Sequence, residues 1–415
     1  MRGCWLVGTA ALGVLVAAGS AGAAGQGGRG AGAVPVYRMA PGAQEVRGSG
    51  SATGGPLLRP GSATYTDSVK PGERKYYRVE LDAGSSAYVS AVAVPRPGAT
   101  MGTRDGIDVV LEDASGTSCG AGRHRTFLSA GGAYPVADYV ERVVRPGAPC
   151  GAAGTYRFAV ERGDAAGGDT AAVPVELRYE TGPAARPGDA ATSSGAWSSQ
   201  PPPRTRRAAT EIVGGSGFND AAEIRAGSWK DQLRPGETRF YRVSVDTGRQ
   251  LFASARFAGA AVDGAAPYVI SGVRLGLSNT ARGYVMNKTA GYQGRDATLS
   301  LATPPAGGPA GAGGGDAVRG MRFAGWYYLQ VSLNPKVGRG GSGTVPVTLD
   351  VDVEKASAAP VRKEAGGARV TAVAGAGGSG GGGGGVLRVV GYAGVGVGSG
   401  LLLGLGVWTL RVRRG

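Results

Sequence analysis

The chain has 415 residues, of which 79 are glycine and 24 are proline, so about a quarter of it favours turns and flexible segments over continuous packed structure. Its single histidine, at position 124, excludes a site built from two histidines, and its three cysteines exclude an all-cysteine zinc site. The net charge of +15 raises the question of nucleic-acid binding, but residues 61–182 carry 13 basic and 15 acidic side chains, and residues 211–354 carry 15 and 12. The excess lies in the remaining segments, where no rigid basic surface is expected, and we predict no nucleic-acid partner.

The first 24 residues have the pattern of a secretory signal peptide. Arg2 supplies the positive start, residues 5–18 form an apolar run, and Ala21-Gly22-Ala23 is a cleavage motif of small residues. The alternative is an uncleaved anchor helix. The apolar run is short and passes directly into small residues, which favours cleavage and predicts a signal peptide over 1–24.

A second apolar run, residues 389–410, carries no charge. As a helix it would span roughly 33 Å, against about 30 Å for the hydrocarbon core of a bilayer. Basic residues stay on the cytoplasmic side, so Arg411, Arg413 and Arg414 predict a cytoplasmic tail over 411–415. A sorting tail cleaved from the chain is the alternative, but no Leu-Pro-x-Thr-Gly motif precedes the run. We therefore predict a type I single-pass protein of the plasma membrane, with the bulk of the chain extracellular.

The predicted transmembrane helix is rich in glycine. Gly396, Gly400 and Gly404 recur every four residues and would lie on one helix face, where they permit close approach of a second helix. We expect this face to pack against another membrane helix, although compositional bias toward glycine gives the same pattern.

The chain contains an internal repeat at an offset of 164 residues. Residues 65–91 and 229–255 are identical at 11 of 27 positions without a gap. A second match follows in the same order, pairing 153–156 with 324–327 and 173–177 with 345–349. Two matches in one order indicate two copies of one domain.

Each copy has the pattern of short β-strands. In residues 77–81 and again in 241–245, apolar side chains alternate with polar ones, which predicts strands with one buried face. Pro71-Gly72 predicts a turn before the first of these strands, and Asp82-Ala83-Gly84 predicts a turn after it, so we expect each copy to open with a hairpin. Pro174 and Pro346 lack an N–H group and suit edge strands or the first residue of a strand.

These patterns predict an all-β chain with two antiparallel, jelly-roll-like β-sandwich domains, one C-terminal transmembrane helix and disordered linkers. Composition places a disordered N-terminal segment at 25–60, and a Pro/Ser/Arg linker and a Gly-rich stalk separate the ordered parts. The predicted ranges are 61–182 for the first sandwich, 183–210 for the linker, 211–354 for the second sandwich and 355–388 for the stalk. Arg204, Arg206 and Arg207 favour a solvated linker over a docking site.

The segment Lys75-Tyr76-Tyr77-Arg78-Val79, followed by Asp82-Ala83-Gly84, and its repeat resemble the bacterial pre-peptidase C-terminal domain. That family has an aromatic-rich strand, a turn containing Ala-Gly, an alternating strand and a closing strand similar to Gly154-Thr155-Tyr156. Its members are β-sandwich modules appended to secreted enzymes and surface proteins. The resemblance implies two such modules, over about 61–180 and 225–353.

The chain departs from this family at one position in each copy. The family commonly has an acidic residue just before the aromatic pair, whereas Lys75 and Arg239 stand there. Any calcium or ligand role of that acid is therefore not transferred. Arginine forms most of the 45 basic residues, which is typical of a high-GC genome, so we expect a bacterium of the Gram-positive, high-GC type.

Cys119 and Cys150 are the cysteines that remain after signal cleavage, and both lie in the first copy. In an extracellular chain a disulfide between them is the expected state, with two free thiols as the alternative. The second copy has no such cross-link, and we expect the first copy to depend on it.

His124, between two arginines, has no nucleophile motif in its surroundings and is expected to be a histidine of a surface loop. The acids between 105 and 113 could supply oxygen ligands to calcium, but their spacing does not match a calcium loop. These are Asp105, Asp108, Glu112 and Asp113. We predict no catalytic, metal or cofactor site.

The sequence therefore predicts a membrane-anchored, non-catalytic protein of the cell surface, acting in binding or scaffolding. The expected partners are the membrane itself and either a cell-wall polymer or another membrane protein. The alternative is a subunit of a membrane-associated secretion or signalling assembly, recruited through the Gly-rich transmembrane helix.

Overall fold

The computed structural model describes residues 34–127, 134–145, 147–183, 197–200, 208–259, 268–307, 315–337 and 343–356. Three predicted segments lie wholly outside the described residues: the signal peptide at 1–24, the transmembrane helix at 389–410 and the tail at 411–415. The predicted stalk lies outside them from residue 357 on, and so do residues 184–196 and 201–207 of the predicted linker. With them lie Gly396, Gly400, Gly404, Arg411, Arg413, Arg414 and the linker arginines 204, 206 and 207. Within the described ranges no helix is long and apolar enough to cross a bilayer.

The first sandwich consists of two five-stranded sheets. Sheet I contains, in spatial order, β1 (Gln44–Glu45), β3 (Thr64–Val69), β10 (Val173–Pro183), β5 (Ser85–Ala93) and β8 (Val136–Arg142). Sheet II contains β2 (Leu57–Leu58), β4 (Arg74–Leu81), β9 (Gly154–Arg162), β6 (Gly106–Glu112) and β7 (Arg123–Thr126).

The second sandwich repeats this arrangement strand for strand. Sheet III contains β11 (Thr210–Glu211), β13 (Gly227–Leu233), β20 (Val345–Lys355), β15 (Arg249–Phe257) and β18 (Ala297–Ala302). Sheet IV contains β12 (Ala222–Glu223), β14 (Thr238–Val245), β19 (Gly325–Leu333), β16 (Val269–Ser278) and β17 (Tyr284–Tyr292). One short helix, α1 (Asp316–Gly320), precedes β19. The predicted duplicated all-β fold is confirmed.

The predicted opening hairpin is wrong. β4 lies in sheet II and pairs with β9, whereas β5 lies in sheet I and pairs with β10 and β8. The turn at 82–84 therefore carries the chain from one sheet to the other. Both strands bury one face in the same core, with Tyr77 and Val79 on β4 and Val89 on β5. Strands on opposite sides of a core meet through side chains and cannot share a hydrogen-bond ladder.

The two prolines are also placed differently from the edge-strand prediction. Pro174 and Pro346 are each the second residue of a strand that lies at the centre of its sheet. Each stands one residue before the pairing with the neighbouring long strand begins, at Val175 and Val347. The Val94 and Ala258 N–H groups still donate to the Pro174 and Pro346 carbonyl oxygens at 2.9 Å, so each missing N–H group removes only the last reciprocal bond of its ladder. The turn at Pro71-Gly72 is confirmed, with φ +69° at Gly72.

Composition predicted disorder over 25–60, and residues 34–60 differ from that prediction. They contribute β1 and β2, which pair in parallel with β3 and β4. Residues 210–223 contribute the equivalent β11 and β12 to the second sandwich, so that β11 falls at the end of the predicted linker. Each copy thus begins about 20 residues earlier than the repeat indicates, since short edge strands of 2 residues leave almost no hydrophobic pattern.

A buried carboxylate attaches this added segment in each copy. Asp67 accepts hydrogen bonds from the Gly48 N–H at 2.7 Å and from the Tyr77 hydroxyl at 2.9 Å. Asp231 accepts the equivalent bonds from Gly214 and Tyr241, each at 2.8 Å. Burial opposes ionisation of Asp67, but these bonds and the one from Lys75 hold its pKa below the usual value.

Glycine is required at this contact because the tyrosine ring lies against the backbone. A Cβ on Gly48 would lie 2.8 Å from the ring of Tyr77, and a Cβ on Gly214 would lie 2.8 Å from the ring of Tyr241. The Asp–Tyr–Gly set is therefore a duplicated structural motif, and it explains why aspartate and tyrosine recur in the repeat.

The alternation predicted for β4 is confirmed, since its last five residues alternate between buried and exposed. β5 behaves differently. From Ser86 to Ala93 every residue of β5 is buried, although only one face of the strand meets the core of its own sandwich. The second face is covered by the other sandwich.

Candidate functional site at the junction of the two sandwiches

The outer faces of sheets I and IV meet in an apolar cluster. Val92 and Val94, on and just after β5, project away from the core of the first sandwich. They pack against aromatic side chains of the second sandwich. The cluster comprises Tyr37, Val92, Val94, Ala137, Phe218, Ala221, Phe240 and Tyr328. The two sandwiches therefore share a buried seam, which we call the junction.

The N-terminal segment completes the junction. The Tyr37 ring lies edge-on to Phe240, with centroids 5.9 Å apart, and burial raises the pKa of Tyr37 to about 12. The Ala40 N–H donates a hydrogen bond of 2.9 Å to a carboxylate oxygen of Glu176 on β10. This segment contacts both sandwiches and fills a gap between them.

A second aromatic contact lies further along the junction. The rings of Tyr88 and Phe323 meet edge-on at 4.7 Å, and Tyr139 packs beside them. Gly283, in the turn before β17, lies so close to the Tyr139 ring that a Cβ could not be placed there. The absence of a side chain at Gly283 therefore sets how closely the two sandwiches approach.

Charged side chains cross the junction between buried partners. The Glu176 carboxylate accepts a hydrogen bond from the Arg282 guanidinium, and both side chains are almost completely buried. Asn219 donates to the same carboxylate at 2.9 Å and accepts from Arg282 at 2.7 Å. Because every member of this network has a partner, the charges can be buried without an uncompensated desolvation penalty.

A second ionic group forms around Asp138 on β8, which is 0% exposed. Arg125 lies 2.7 Å from its carboxylate, and Arg319 of the second sandwich lies 3.6 Å away. Arg125 also binds Asp316 across the junction at 2.8 Å. A further pair joins Glu141 to Arg322. The junction is therefore held by complementary charge as well as by apolar contact.

A cleft with a volume of about 180 Å³ opens beside these contacts. Its walls come from both sandwiches, with β7 and β8 on one side and β16, β17 and β19 on the other. The polar residues that line it are His124, Arg125, Thr126, Arg274, Ser278, Tyr284, Asn287 and Gln330. Such a concave site with convergent polar groups is the usual form of a small-ligand pocket.

Arg274 is the unusual member of this cleft. It is 5% exposed, and its one hydrogen bond within the described residues joins Nη1 to the neutral Oε1 of Gln330 at 3.2 Å. Burial lowers the pKa of the Arg274 guanidinium, and the groups that act against this shift are the phenols of Tyr134 and Tyr284. Arginine remains charged in proteins, so this cation is buried without a carboxylate among the described side chains.

The backbone of β16 makes room for this guanidinium. Arg274 and Gly276 lie on the same face of the strand, and a Cβ on Gly276 would lie 3.0 Å from Arg274 Nη2. Asn287 on β17 and Gln330 on β19 stand directly opposite Gly276. The cation therefore lies over a glycine, with an amide side chain on each neighbouring strand.

His124 lies at the rim of the cleft, on β7 rather than in a loop. It is exposed, and its Nδ1 lies 2.9 Å from the Asp108 carboxylate. Ser278, the serine of the cleft, accepts a hydrogen bond from Gln330 at 2.9 Å. No hydrogen bond joins Ser278 to His124 in the described part of the chain, so the cleft does not present the connected serine, histidine and aspartate of a hydrolase.

The sequence-predicted cysteine pair is joined. The Cys119 and Cys150 sulfur atoms are 2.13 Å apart, and the cross-link lies at the end of the first sandwich away from the described cleft lining. The neighbouring Arg142, on β8, donates to the carbonyl oxygen of Cys150 at 2.8 Å. The disulfide therefore cross-links the first sandwich, and its atoms do not line the cleft.

The four acids that resembled a calcium set do not converge. Asp105 is buried and paired with Arg162 at 2.6 Å, and Glu112 pairs with Arg74 at 3.0 Å. Asp113 accepts the backbone N–H groups of its own turn. Among the described residues no group of three His, Cys, Asp or Glu side chains could hold a metal ion.

The reasoning from sequence missed the junction and Arg274. The sequence does contain one indication of the junction: residues 86–94 carry no charge, which is typical of a strand covered on two sides. In the structure all of these residues are buried. Arg274 was also visible as a lone cation between Val273 and Leu275. Its lack of an acidic partner could be found only from the fold.

No family model matches the sequence, and no curated protein matches it. Among solved structures, the chain is similar to the pre-peptidase C-terminal domain of a collagenase from Bacillus anthracis, with 13% identity, 36% of this chain and 100% of that chain covered, and a TM-score of 0.20. It is similar to the CBM22-1-CBM22-2 tandem domain of Xyn10C from Paenibacillus barcinonensis, with 14% identity, coverage of 70% and 86%, and a TM-score of 0.17. It is also similar to the CUB1-EGF-CUB2 domain of human MASP-1/3, with 7% identity, coverage of 70% and 99%, and a TM-score of 0.19. These TM-scores are too low to carry an argument about family or function.

Proposed function

We propose that this chain is a non-catalytic binding protein of the bacterial cell envelope, whose two sandwiches form one body with a ligand cleft at their junction. The observation that carries the proposal is the cleft itself, which is lined by both sandwiches and contains a buried cation with no acidic partner in the described part of the chain. A charge held in this way is suited to an anionic ligand.

The packing of the junction supports binding rather than simple spacing. Apolar contacts at Phe240 and ion pairs at Glu176 and Asp138 fix the two sides of the cleft relative to each other. A preformed cleft avoids the entropic cost of ordering two separate modules when the ligand binds. A chain that served only as a spacer would gain nothing from such a site.

The absence of catalysis is part of the proposal. Hydrolytic chemistry at the cleft would require Ser278 to be activated by His124, and Ser278 is instead hydrogen-bonded to Gln330. His124 is exposed and paired with Asp108. These contacts favour a binding role for the polar residues of the cleft.

The cellular context of the proposal comes from the sequence. A signal peptide at 1–24 and a transmembrane helix at 389–410 with arginines after it would place both sandwiches outside the plasma membrane. A cell-wall polymer is then the proposed partner. The alternative role, as a subunit of a secretion or signalling assembly, would use Gly396, Gly400 and Gly404 to contact another membrane protein.

The test is protease treatment of intact cells that express the full chain with a fluorescent reporter fused after residue 415. Both sandwiches should be digested while the reporter survives, and permeabilised cells should lose both. Digestion of the reporter with survival of the sandwiches would contradict the proposed topology. Cross-linking on the same cells separates the two roles, because a stoichiometric membrane-protein partner would favour the assembly and wall polymer would favour the binding protein.

A further inference from the structure

Five arginines of the described chain are almost completely buried, and four of them have strong acceptors. Arg162 binds Asp105, Arg282 binds Glu176, and Arg319 lies near Asp138 and Asp316. Arg142 donates to five backbone carbonyl groups. Arg274 is the fifth, and among the described residues its one hydrogen-bond acceptor is the neutral amide of Gln330, with the Tyr134 ring 5.7 Å from the guanidinium.

The side chains around Arg274 indicate which kind of ligand would bind its guanidinium. A guanidinium offers two parallel N–H groups and binds a carboxylate in a bidentate manner. Asn287, Ser278 and Gln330 provide amide and hydroxyl groups beside it, which are suited to hydrogen bonds with hydroxyl groups. The cleft therefore combines the Arg274 cation with several neutral polar groups, within a volume of about 180 Å³, while the second guanidinium of its lining, Arg125, is paired with Asp138 and Asp316.

The position of Arg274 in the sheet argues against a peptide as the ligand. Extended peptides are commonly bound along the open edge of a sheet through backbone hydrogen bonds. β16 is not an edge strand, because β19 and β17 pair with it on its two sides. Arg274 lies on the flat face of sheet IV beside the first sandwich, where a compact polar ligand fits better than an extended chain.

We propose that the cleft at Arg274 binds an acidic sugar unit of the uronate type, with its carboxylate on the Arg274 guanidinium and its hydroxyl groups on Asn287, Ser278 and Gln330. This inference rests on the proposed function and adds the chemical class of the ligand to it. An anionic polysaccharide would present such units repeatedly, and one unit would enter each cleft.

The test is calorimetric titration of the purified full-length chain in detergent with three probes. Sodium glucuronate carries the carboxylate and the hydroxyl groups, glucose lacks the carboxylate, and sodium acetate lacks the hydroxyl groups. We expect glucuronate to bind at least about tenfold more tightly than either of the other two, since both parts of the site are then used. Equal binding of acetate would overturn the sugar assignment, and no binding of glucuronate would overturn the site.

Variants assign the binding to the cleft. Arg274→Gln should weaken glucuronate binding by about tenfold or more, whereas Arg256→Gln, the same change at an exposed position on sheet III, should leave it unaltered. Asn287→Ala should weaken glucuronate binding and leave acetate binding unchanged. If Arg274→Gln fails to fold, Arg274→Lys keeps the charge and removes the bidentate geometry, and it should still bind more weakly than the wild type. Wild-type affinity in a folded Arg274 variant would overturn the proposal.

This experiment does not depend on membrane orientation. Failure of glucuronate to bind removes the ligand assignment and leaves the envelope role to the protease experiment. Conversely, an inverted topology would remove the envelope role while glucuronate binding that depends on Arg274 would stand.

Discussion

The carboxylate of Glu176 in the first sandwich accepts a hydrogen bond from the guanidinium of Arg282 in the second, and both groups are buried at the junction. Arg282→Met removes one charge and leaves the other without its partner. We expect the free energy of unfolding to fall by about 3–5 kcal/mol, which urea denaturation of the full chain would measure.

Two further variants test whether the loss of stability comes from the buried unpaired charge. Arg225→Met breaks an exposed ion pair with Glu223 and should change stability by less than about 1 kcal/mol. Combining Glu176→Gln with Arg282→Met removes both charges and should recover much of the loss. A double variant as unstable as the single one would show that packing, not charge, explains the effect.

Removing the charge of Arg274 should change the free energy of unfolding in the opposite direction. It is buried with no carboxylate partner among the residues that the structure describes, so Arg274→Met removes an uncompensated charge and keeps the aliphatic volume. We expect the free energy of unfolding to rise by about 1–3 kcal/mol in the absence of an anionic ligand, measured in the same urea titration as Arg282→Met. A loss similar to that of Arg282→Met would mean that Arg274 has an acidic partner in the free protein.

Gly283 tests whether the two sandwiches unfold together. Its substitution by alanine introduces a methyl group into the space occupied by the Tyr139 ring and should separate the two faces of the junction. Calorimetry of the wild type should show one cooperative transition, and Gly283→Ala should show two. Gly50→Ala, at a position with no atom within 4 Å of the added carbon, is the control and should retain one transition.

The disulfide should stabilise the folded chain by lowering the conformational entropy of the unfolded chain. Cys119 and Cys150 are separated by 31 residues, and closing a loop of this length contributes about 3–4 kcal/mol in the chain-entropy description. Replacing both cysteines by serine should lower the melting temperature of the chain by a corresponding amount, measured without reductant. An unchanged melting temperature would contradict the predicted dependence of the first sandwich on this cross-link.

The junction should weaken in acid. Burial opposes ionisation of Asp316, but the hydrogen bond from Arg125 and the charges of Arg125, Arg319 and Arg123 hold the pKa of the Asp316 carboxyl below its usual value. A carboxyl with a lower pKa in the folded state stabilises the fold above its unfolded pKa, and this contribution disappears as the pH falls below about 4. Asp316→Asn should therefore reduce the loss of melting temperature between neutral and acid pH. An identical pH profile in wild type and variant would contradict this role.

Much of the fold could be predicted from the sequence. The repeat between 65–91 and 229–255 indicated two equivalent domains, and alternation at Tyr77 and Val79 indicated which face of β4 meets the core. The cysteine content indicated the disulfide at Cys119 and Cys150. These features are local or depend on sequence identity, so one chain was enough to find them.

The pairing of strands and the junction could not be predicted in the same way. The turn at 82–84 has the residues of a hairpin, and only the position of β9 and β10 shows that it crosses between sheets. Arg274 and Glu176 each occur in a strand, but whether a buried charge has a partner depends on contacts between residues 56 and 106 positions apart in the chain. Such long-range pairing leaves no periodic pattern in the sequence.

The junction uses two non-equivalent faces, sheet I of the first copy and sheet IV of the second, and this has a consequence for assembly. A head-to-tail contact of this kind continues into a filament only if the second copy presents the same face as the first. On β15, the counterpart of β5, the outward residues Gln250, Phe252 and Ser254 are already buried within the chain. The counterpart positions have diverged: Val92 is matched by exposed Arg256, and Glu176 is matched by Thr348. We therefore expect that sheet III of the second copy does not accept a further copy through this contact.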